Sequence, residues 1–395
     1  MARIWGTLKT VAPNENRVRA FLAAVILVLA LPVAAADHVD LEELYPIAPW
    51  DALDSIVQPR YDDEQYLYAW DEVVGVTIGN ESRTYPLKLM HWHEVVNDVV
   101  GGVPIVVSLC PLCGTALVFE RTYDGRVLTF GSSGLLLSNN KVMFDRETGS
   151  LWPQILGVAI NGTYHGTRLK PVAFARLPYQ EWAALHPEAS TVARPWGPVL
   201  CPDPCLVPFG FTSYDSSPYD NSTSLYSETN ATYEPIRYPD LRFHPKTYVV
   251  GLARGDDALA VPLPALDRLR VVPVTVGGES LVVTLWKPPA GGRVPGSANV
   301  FLQEDRTFTV DAATNELVDV GGERFSILTG EGANGNLTRA EFVYGFWFAW
   351  HDLHPGTRVF GYDESTPPYY LALAAIPVGL GGVYLWRRRA KRSAP

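Results

Sequence analysis

The chain has 395 residues, of which 47% are hydrophobic, 11% aromatic and 19% charged. That balance excludes a disordered chain, a coiled coil and a collagen, and the length suits two or three domains. With 32 basic against 42 acidic residues the formal net charge is −10, which argues against nucleic acid as a partner.

Arg3, Lys9, Arg17 and Arg19 precede an apolar run from Phe21 to Val33, then Ala34-Ala35-Ala36 and Asp37. A basic head, an apolar stretch and small residues in that order predict a signal peptide over residues 1–36, with an uncleaved anchor as the alternative. Next, Val73 to Leu109 aligns without gaps onto Val249 to Leu285, with 14 of 37 positions identical. Trp182-Ala-Ala-Leu-His-Pro likewise matches Trp350-His-Asp-Leu-His-Pro. Two copies are therefore expected, a first over 65–195 and a second, degenerate one over 240–362, joined by a Pro-, Ser- and Tyr-rich linker at 196–239.

Within the first copy, Val73–Ile78 alternates into Gly79-Asn80, a hairpin signal. A short helix is expected from Leu87 to Val96, a β-branched strand over Ile105–Leu109, strands at Ala116–Glu120 and Val127–Gly131, and a second short helix over Tyr179–Leu185. The fold class read from this is α+β, mainly antiparallel strands with short helices, in two tandem, internally duplicated copies. A C-terminal transmembrane helix follows. Tyr369 to Trp386 is uncharged and apolar for 18 residues, about 27 Å as a helix. Arg387, Arg388, Arg389, Lys391 and Arg392 follow it, so residues 387–395 are expected as a basic cytoplasmic tail. The membrane is then the expected partner through that helix, any protein partner being left open. The expected location is the cell membrane, single-pass, with the ectodomain outside. Between the ends 23 basic and 41 acidic residues remain. Five Asn-x-Ser/Thr sequons, at Asn80, Asn161, Asn221, Asn230 and Asn336, are expected glycosylation acceptors in such an ectodomain. An acidic, Lys-poor, sequon-rich surface suits a salt-loving archaeon.

Residues shared by the copies serve the fold, whereas residues in one copy are where chemistry is sought. His91, His93 and Asn97 face Asp267, Leu269 and Pro273, and Cys110 and Cys113 face Trp286 and Pro289. Cys110-Pro-Leu-Cys113-Gly114 directly follows a strand, and two sulfurs at that spacing form a knuckle suited to tetrahedral Zn or Fe. The same spacing serves thiol–disulfide exchange, and outside the cell a plain disulfide. On a helix His91 and His93 point about 200° apart, so only one can face an ion; His93 is the expected ligand. Met143 or Asp145 could complete the shell, a soft Met favouring copper. Glu94, Asp98, Thr148, Ser150, Trp152 and Gln154 join His91, Asn97 and Asp145 as expected pocket residues. Cys201 and Cys205, in Cys-Pro-Asp-Pro-Cys, are expected to pair as a local disulfide, the alternative being a four-Cys metal site with Cys110 and Cys113.

The segments HWHEVVND, SLCPLCGTA, KVMFDRETGSLWPQ and EWAALHP resemble a family known only as domain of unknown function 3179. Its members are bacterial and archaeal and often exported. The resemblance covers most of 65–362. It implies His93, Glu94, Asn97, Asp98, Cys110, Pro111, Cys113, Asp145, Thr148, Ser150, Trp152 and Gln154 as family positions and implies no activity. The expected function is therefore a membrane-anchored extracytoplasmic protein binding zinc, copper or iron through Cys110, Cys113 and His93. The alternatives are a non-enzymatic surface module with a structural disulfide, and a thiol–disulfide oxidoreductase.

Overall fold

A computed structural model describes residues 40–61, 66–195, 214, 230, 232–288 and 296–362. The segments expected as signal peptide, membrane helix and basic tail lie outside the described residues, as do Cys201, Cys205 and Asn221.

The described chain is mostly strand. Six sheets of three or four strands are arranged as the blades of a β-propeller. Blade 1 runs Ala175–Pro178, Glu72–Ile78, Glu81–Pro86, Ser190–Thr191. Blade 2 runs Ile56–Val57, Val95–Val100, Val103–Cys110, Thr115–Glu120. Blade 3 runs Tyr45–Pro46, Phe130–Leu137, Asn140–Asp145, Leu151–Pro153. Blade 4 runs Val343–Phe346, Tyr248–Arg254, Asp257–Pro262, Arg358–Val359. Blade 5 is Val271–Val276, Glu279–Trp286, Ser297–Leu302, and blade 6 is Phe308–Asp311, Glu316–Asp319, Arg324–Ser326.

The four α-helices are α1 (Leu87–His93), α2 (Tyr179–Leu185), α3 (Leu263–Leu269) and α4 (Trp347–Leu353), seven residues each. Three of them start directly after Pro86, Pro178 and Pro262, each an extended residue that ends a strand. A proline lacks the N–H a ladder needs but leaves a helix start intact. The helix expected to reach Val96 ends at His93. The β-branched run from Val95 pairs as a strand with Val103–Cys110, and Glu94 makes the break at φ +57°.

The expected fold class is overturned. Helices of seven residues, about 10 Å long, cannot form a layer, so the described residues are not two tandem α+β copies, and no membrane helix is found among them. They form one mainly-β ring in which sheets pack on sheets. Val74, Val76, Tyr85, Ile105 and Val107 fill the space between blades 1 and 2. Val106, Phe119, Phe130, Met143 and Trp152 fill that between blades 2 and 3. Val250, Val261, Val272 and Val283 do so for blades 4 and 5. Two mixed cores tie the early blades to the late ones: Val73, Leu177 and Trp182 with Val282, Phe301, Leu317 and Phe325, and Cys110, Cys113 and Leu136 with Phe346 and Phe348. Each such side chain contributes about 1.5–3 kcal/mol by leaving water.

Blades 4, 5 and 6 repeat the strand order of blades 1, 2 and 3, and the aligned segments 73–109 and 249–285 fall on strands of the same order. Blades 2 and 3 each gain an edge strand from the stretch 45–57, and Tyr61, just after it, bridges to Val192 next to the last strand of blade 1. Trp182 lies over Gly75 and Trp350 over Gly251, so close that a Cβ would stand 2.3 Å and 2.2 Å from the respective rings. Among the described residues no helix is long and apolar enough to cross a membrane. Attachment through a C-terminal helix, and the single-pass location built on it, are therefore corrected: no described element supplies a span.

Candidate functional site

The Cys110–Cys113 hairpin joins two strands of blade 2, with Cys110 opposite Thr115. Gly114 sits at φ +69°, and a Cβ there would stand 3.1 Å from Tyr248 and 3.2 Å from Phe346. Glycine is required on both counts. The Cys113 carbonyl accepts from the Phe346 N–H at 2.8 Å, which pins the hairpin to blade 4.

Both sulfurs are thiols, and both are buried, Cys113 at 0% and Cys110 at 1% exposure. Asn140 Nδ2, from blade 3, donates to Cys113 Sγ at 3.0 Å, and Thr115 Oγ1 lies 3.0 Å from the same sulfur. Thr115 Oγ1 is also 2.7 Å from Gln154 Oε1. Gln154 Nε2 donates to Ser108 O at 3.1 Å and Ser108 Oγ at 3.0 Å, which turns Oε1 toward Thr115. Asn140 Oδ1 accepts from the Ile155 N–H at 2.9 Å, which aims Nδ2 at the sulfur. A hydroxyl has one proton. With that proton on Gln154, Thr115 accepts from the Cys113 thiol; when Cys113 ionises, Thr115 turns its proton to the sulfur.

The two thiols are thereby made unequal. Burial works to raise Cys113, but hydrogen bonds from Cys110, Thr115 and Asn140 and from the Thr115 N–H outweigh it and hold its pKa below the ordinary thiol value. Burial pushes Cys110 well up, and the neighbouring Cys113 and Glu94 charges push it further. Of the two, Cys113 is the thiol that ionises more readily and Cys110 the one that keeps its proton. Beside them Glu94 and Lys141 form a buried ion pair at 2.9 Å, with Ser132 Oγ donating to Glu94 at 3.2 Å.

Segments outside the blade repeat cover this centre. Ile47, Tyr233 and Ile236 pack against the cluster of Cys110, Leu112, Cys113, Phe346 and Phe348. Asn139 and Glu234 exchange hydrogen bonds, the Asn139 N–H donating to the Glu234 carboxylate and the Glu234 N–H donating to Asn139 Oδ1 at 3.0 Å. The expected linker is thus, in its described part, a strap across the site.

The other expected residues divide sharply. The shell of Cys110, Cys113, His93 and Met143 is not assembled, and among the described residues no three His, Cys, Asp or Glu side chains converge as a metal site. His93 is turned elsewhere. Its Nδ1 is 2.6 Å from Asp54 O and its Nε2 2.7 Å from the Tyr214 hydroxyl, and burial lowers its pKa. Met143 is core, packed with Phe130 and Trp152. Burial and then the Arg176 cation push His91 down to about 3, so it is neutral.

Asn97 stitches blade 2 to blade 3, donating to Phe130 O at 2.8 Å and accepting from Phe130 N at 2.7 Å. Asp98 accepts from the hydroxyls of Tyr61 and of Tyr85, the latter at 2.6 Å. Asp145 closes a hairpin turn, accepting from Thr148 N–H at 2.7 Å, Thr148 Oγ1 at 2.7 Å and Trp152 Nε1 at 2.9 Å. Ser150 Oγ is 2.7 Å from Thr148 Oγ1. Blade 6 repeats this turn: the Gly149 N–H on Asp145 O and the Asn315 N–H on Asp311 O are both 2.8 Å. Its presence in both halves marks it as fold. Of the pocket residues, only Glu94 and Gln154 join the cysteines. Thr115, Ser108, Asn140 and Lys141 were missed; the signal for Thr115 was its place directly after the CPLCG turn. Asn80, Asn230 and Asn336 are exposed, whereas Asn161 is half-buried and accepts from the Leu151 N–H at 3.0 Å.

No curated protein and no solved structure matches the chain. The HEVVND, CPLCG and DRETGSLWPQ stretches that build or brace this centre all lie within residues 50–357, which match a single family model, and the chain therefore belongs to the family described as protein of unknown function (DUF3179).

Proposed function

We propose that Cys110 and Cys113 form a redox-active dithiol, cycling between two thiols and a disulfide. The observation that carries this is the asymmetry of the pair: Asn140 Nδ2 and Thr115 Oγ1 each lie 3.0 Å from Cys113 Sγ, while burial and the neighbouring Cys113 hold the Cys110 thiol up. Only the thiolate is a nucleophile, and a neighbouring thiol then resolves the oxidised product. An inert buried cysteine needs neither Asn140 nor the Thr115–Gln154 pair. Among the described residues the metal reading has no third ligand, since both nitrogens of His93 are engaged away from the sulfurs.

The test is alkylation of the reduced protein with iodoacetamide across pH, mapped by peptide mass. Cys113 should react at a lower pH than Cys110, and oxidation should close a Cys110–Cys113 disulfide that dithiothreitol reopens. If both thiols titrate together above the ordinary value, or no such disulfide forms under any oxidant, the proposal fails.

A further inference from the structure

The surroundings of the pair restrict what can oxidise it. Thiol–disulfide exchange requires three sulfurs nearly in line, so the partner's disulfide must enter together with its flanking carbons. Among the described residues both sulfurs are buried, with Leu112, Phe346 and Phe348 around them and Ile47, Tyr233 and Ile236 packed against that cluster, which leaves such a partner no seat. The strap is bound to blade 3 through the reciprocal Asn139–Glu234 hydrogen bonds, and Ile47 is bound by its N–H to Gly134 O at 2.9 Å. A reagent of two heavy atoms needs only side-chain motion to pass such a cover. What it meets is polar. Asn140 Nδ2 and Thr115 Oγ1 each stand 3.0 Å from Cys113 Sγ, one a fixed donor and the other a donor or acceptor. That pair can bind an O–O unit beside the sulfur: as it enters, Thr115 turns its proton from the sulfur back to Gln154 Oε1 and accepts from the peroxide, while Asn140 donates.

Taking the redox reading as its basis, we infer that the oxidant of this dithiol is a small neutral hydroperoxide, of which hydrogen peroxide is the type, and that Cys113 is the sulfur it oxidises. The Cys113 thiolate attacks one peroxide oxygen. The S–O bond forms, the O–O bond breaks, and the departing hydroxide takes up the proton that Cys113 lost on ionising, leaving as water. Cys113 is now a sulfenic acid. Cys110 then gives its proton to the Cys113 hydroxyl and, as the thiolate so formed, attacks the Cys113 sulfur. The S–S bond forms, the S–O bond breaks, and the hydroxyl leaves with the Cys110 proton as a second water. Two thiols have supplied two electrons, and one peroxide has become two waters. Substrate size is set by the cover and sulfur choice by the donors, so the two halves of the inference rest on different residues.

The experiment compares oxidants on the whole reduced chain, in single-turnover amounts. Hydrogen peroxide, oxidised glutathione and 5,5′-dithiobis-(2-nitrobenzoate) are added separately, and the Cys110–Cys113 disulfide is followed by alkylation and peptide mapping. Each rate is divided by its rate on the same chain unfolded in urea, which cancels intrinsic reactivity. Folding should favour peroxide over either disulfide reagent by about a hundredfold or more, the factor expected when one class of reagent must wait for local opening. In Cys110→Ser the Cys113 sulfenic acid should persist after peroxide is removed and be trapped by dimedone added with urea. Equal protection against all three reagents, with the disulfide still forming, would overturn the hydroperoxide assignment and leave the dithiol reading intact. Failure of every reagent to close the disulfide would overturn both. Should Cys110→Ser not fold, Cys110→Ala is the alternative trap, and the reagent ratio in the unaltered chain stands by itself.

Discussion

Asn140 reaches across from blade 3 to donate to Cys113 of blade 2 at 3.0 Å, while its own carbonyl oxygen is held by the Ile155 N–H. One side chain therefore joins the integrity of a blade contact to the acidity of a thiol. In Asn140→Leu the thiolate loses a donor, and a hydrogen bond to a charged group is worth about 1.5–3 kcal/mol. The alkylation midpoint of Cys113 should rise by about one to two pH units. A midpoint unchanged within about 0.3 unit would show that Asn140 does not tune the thiol.

The buried Glu94–Lys141 pair is held at 2.9 Å with little water access. Lys141→Met leaves the Glu94 charge buried without its partner, at a cost of about 3–5 kcal/mol in urea unfolding. Lys141→Met combined with Glu94→Gln removes the orphaned charge as well and should recover more than half of that loss. A double variant no more stable than Lys141→Met would contradict this account.

Acid should weaken the fold through its buried histidines. His91 sits at about 3 and His354 at about 4 in the folded chain, against 6.5 for a free imidazole. Between those values the unfolded chain binds more protons, so stability rises with pH in this window and is fully present above about 6.5. Unfolding free energy should drop by a few kcal/mol from about pH 6.5 to about pH 4.5, and His91→Gln should flatten part of that slope. Urea titrations at several pH values measure it; an unaltered slope in His91→Gln would refute the assignment.

The paired tryptophans make a test of equivalence between the halves. Gly75→Ala drives a methyl into Trp182 and Gly251→Ala drives one into Trp350. Each should cost about 3 kcal/mol, at the upper end for overpacking. Thermal melts of the two variants should agree; a large loss in one and none in the other would mean that the two sites do not bear the same packing.

His93→Gln separates core from chemistry. The ring bridges Asp54 O and Tyr214, so its loss should cost about 1–3 kcal/mol of stability. The Cys113 alkylation midpoint should stay where it was. A midpoint that moved with His93 would bring the imidazole back to the sulfurs.

Some of this was legible in one dimension. The Gly79-Asn80 and Gly101-Gly102 turns, the strand leading into Cys110 and the match of 73–109 to 249–285 depend on turn chemistry and period over a few residues, and those are local properties. Comparison of the copies also singled out the cysteines, because their counterparts are Trp286 and Pro289. The same comparison misled for His93, where a residue present in one copy only proved to be a core hydrogen-bonding group.

The amino-acid sequence by itself determined the short strands, the Cys-x-x-Cys turn and the family, since each is written in contiguous residues. Tertiary structure alone decided that six sheets close into a ring, and that His93 turns to Asp54 and Tyr214. It also decided that Asn140, 27 residues after Cys113, supplies the donor to its sulfur. The physical reason is that a strand's pattern states which face is apolar but not which other face will cover it. The partner of a buried polar atom is chosen only when those faces meet.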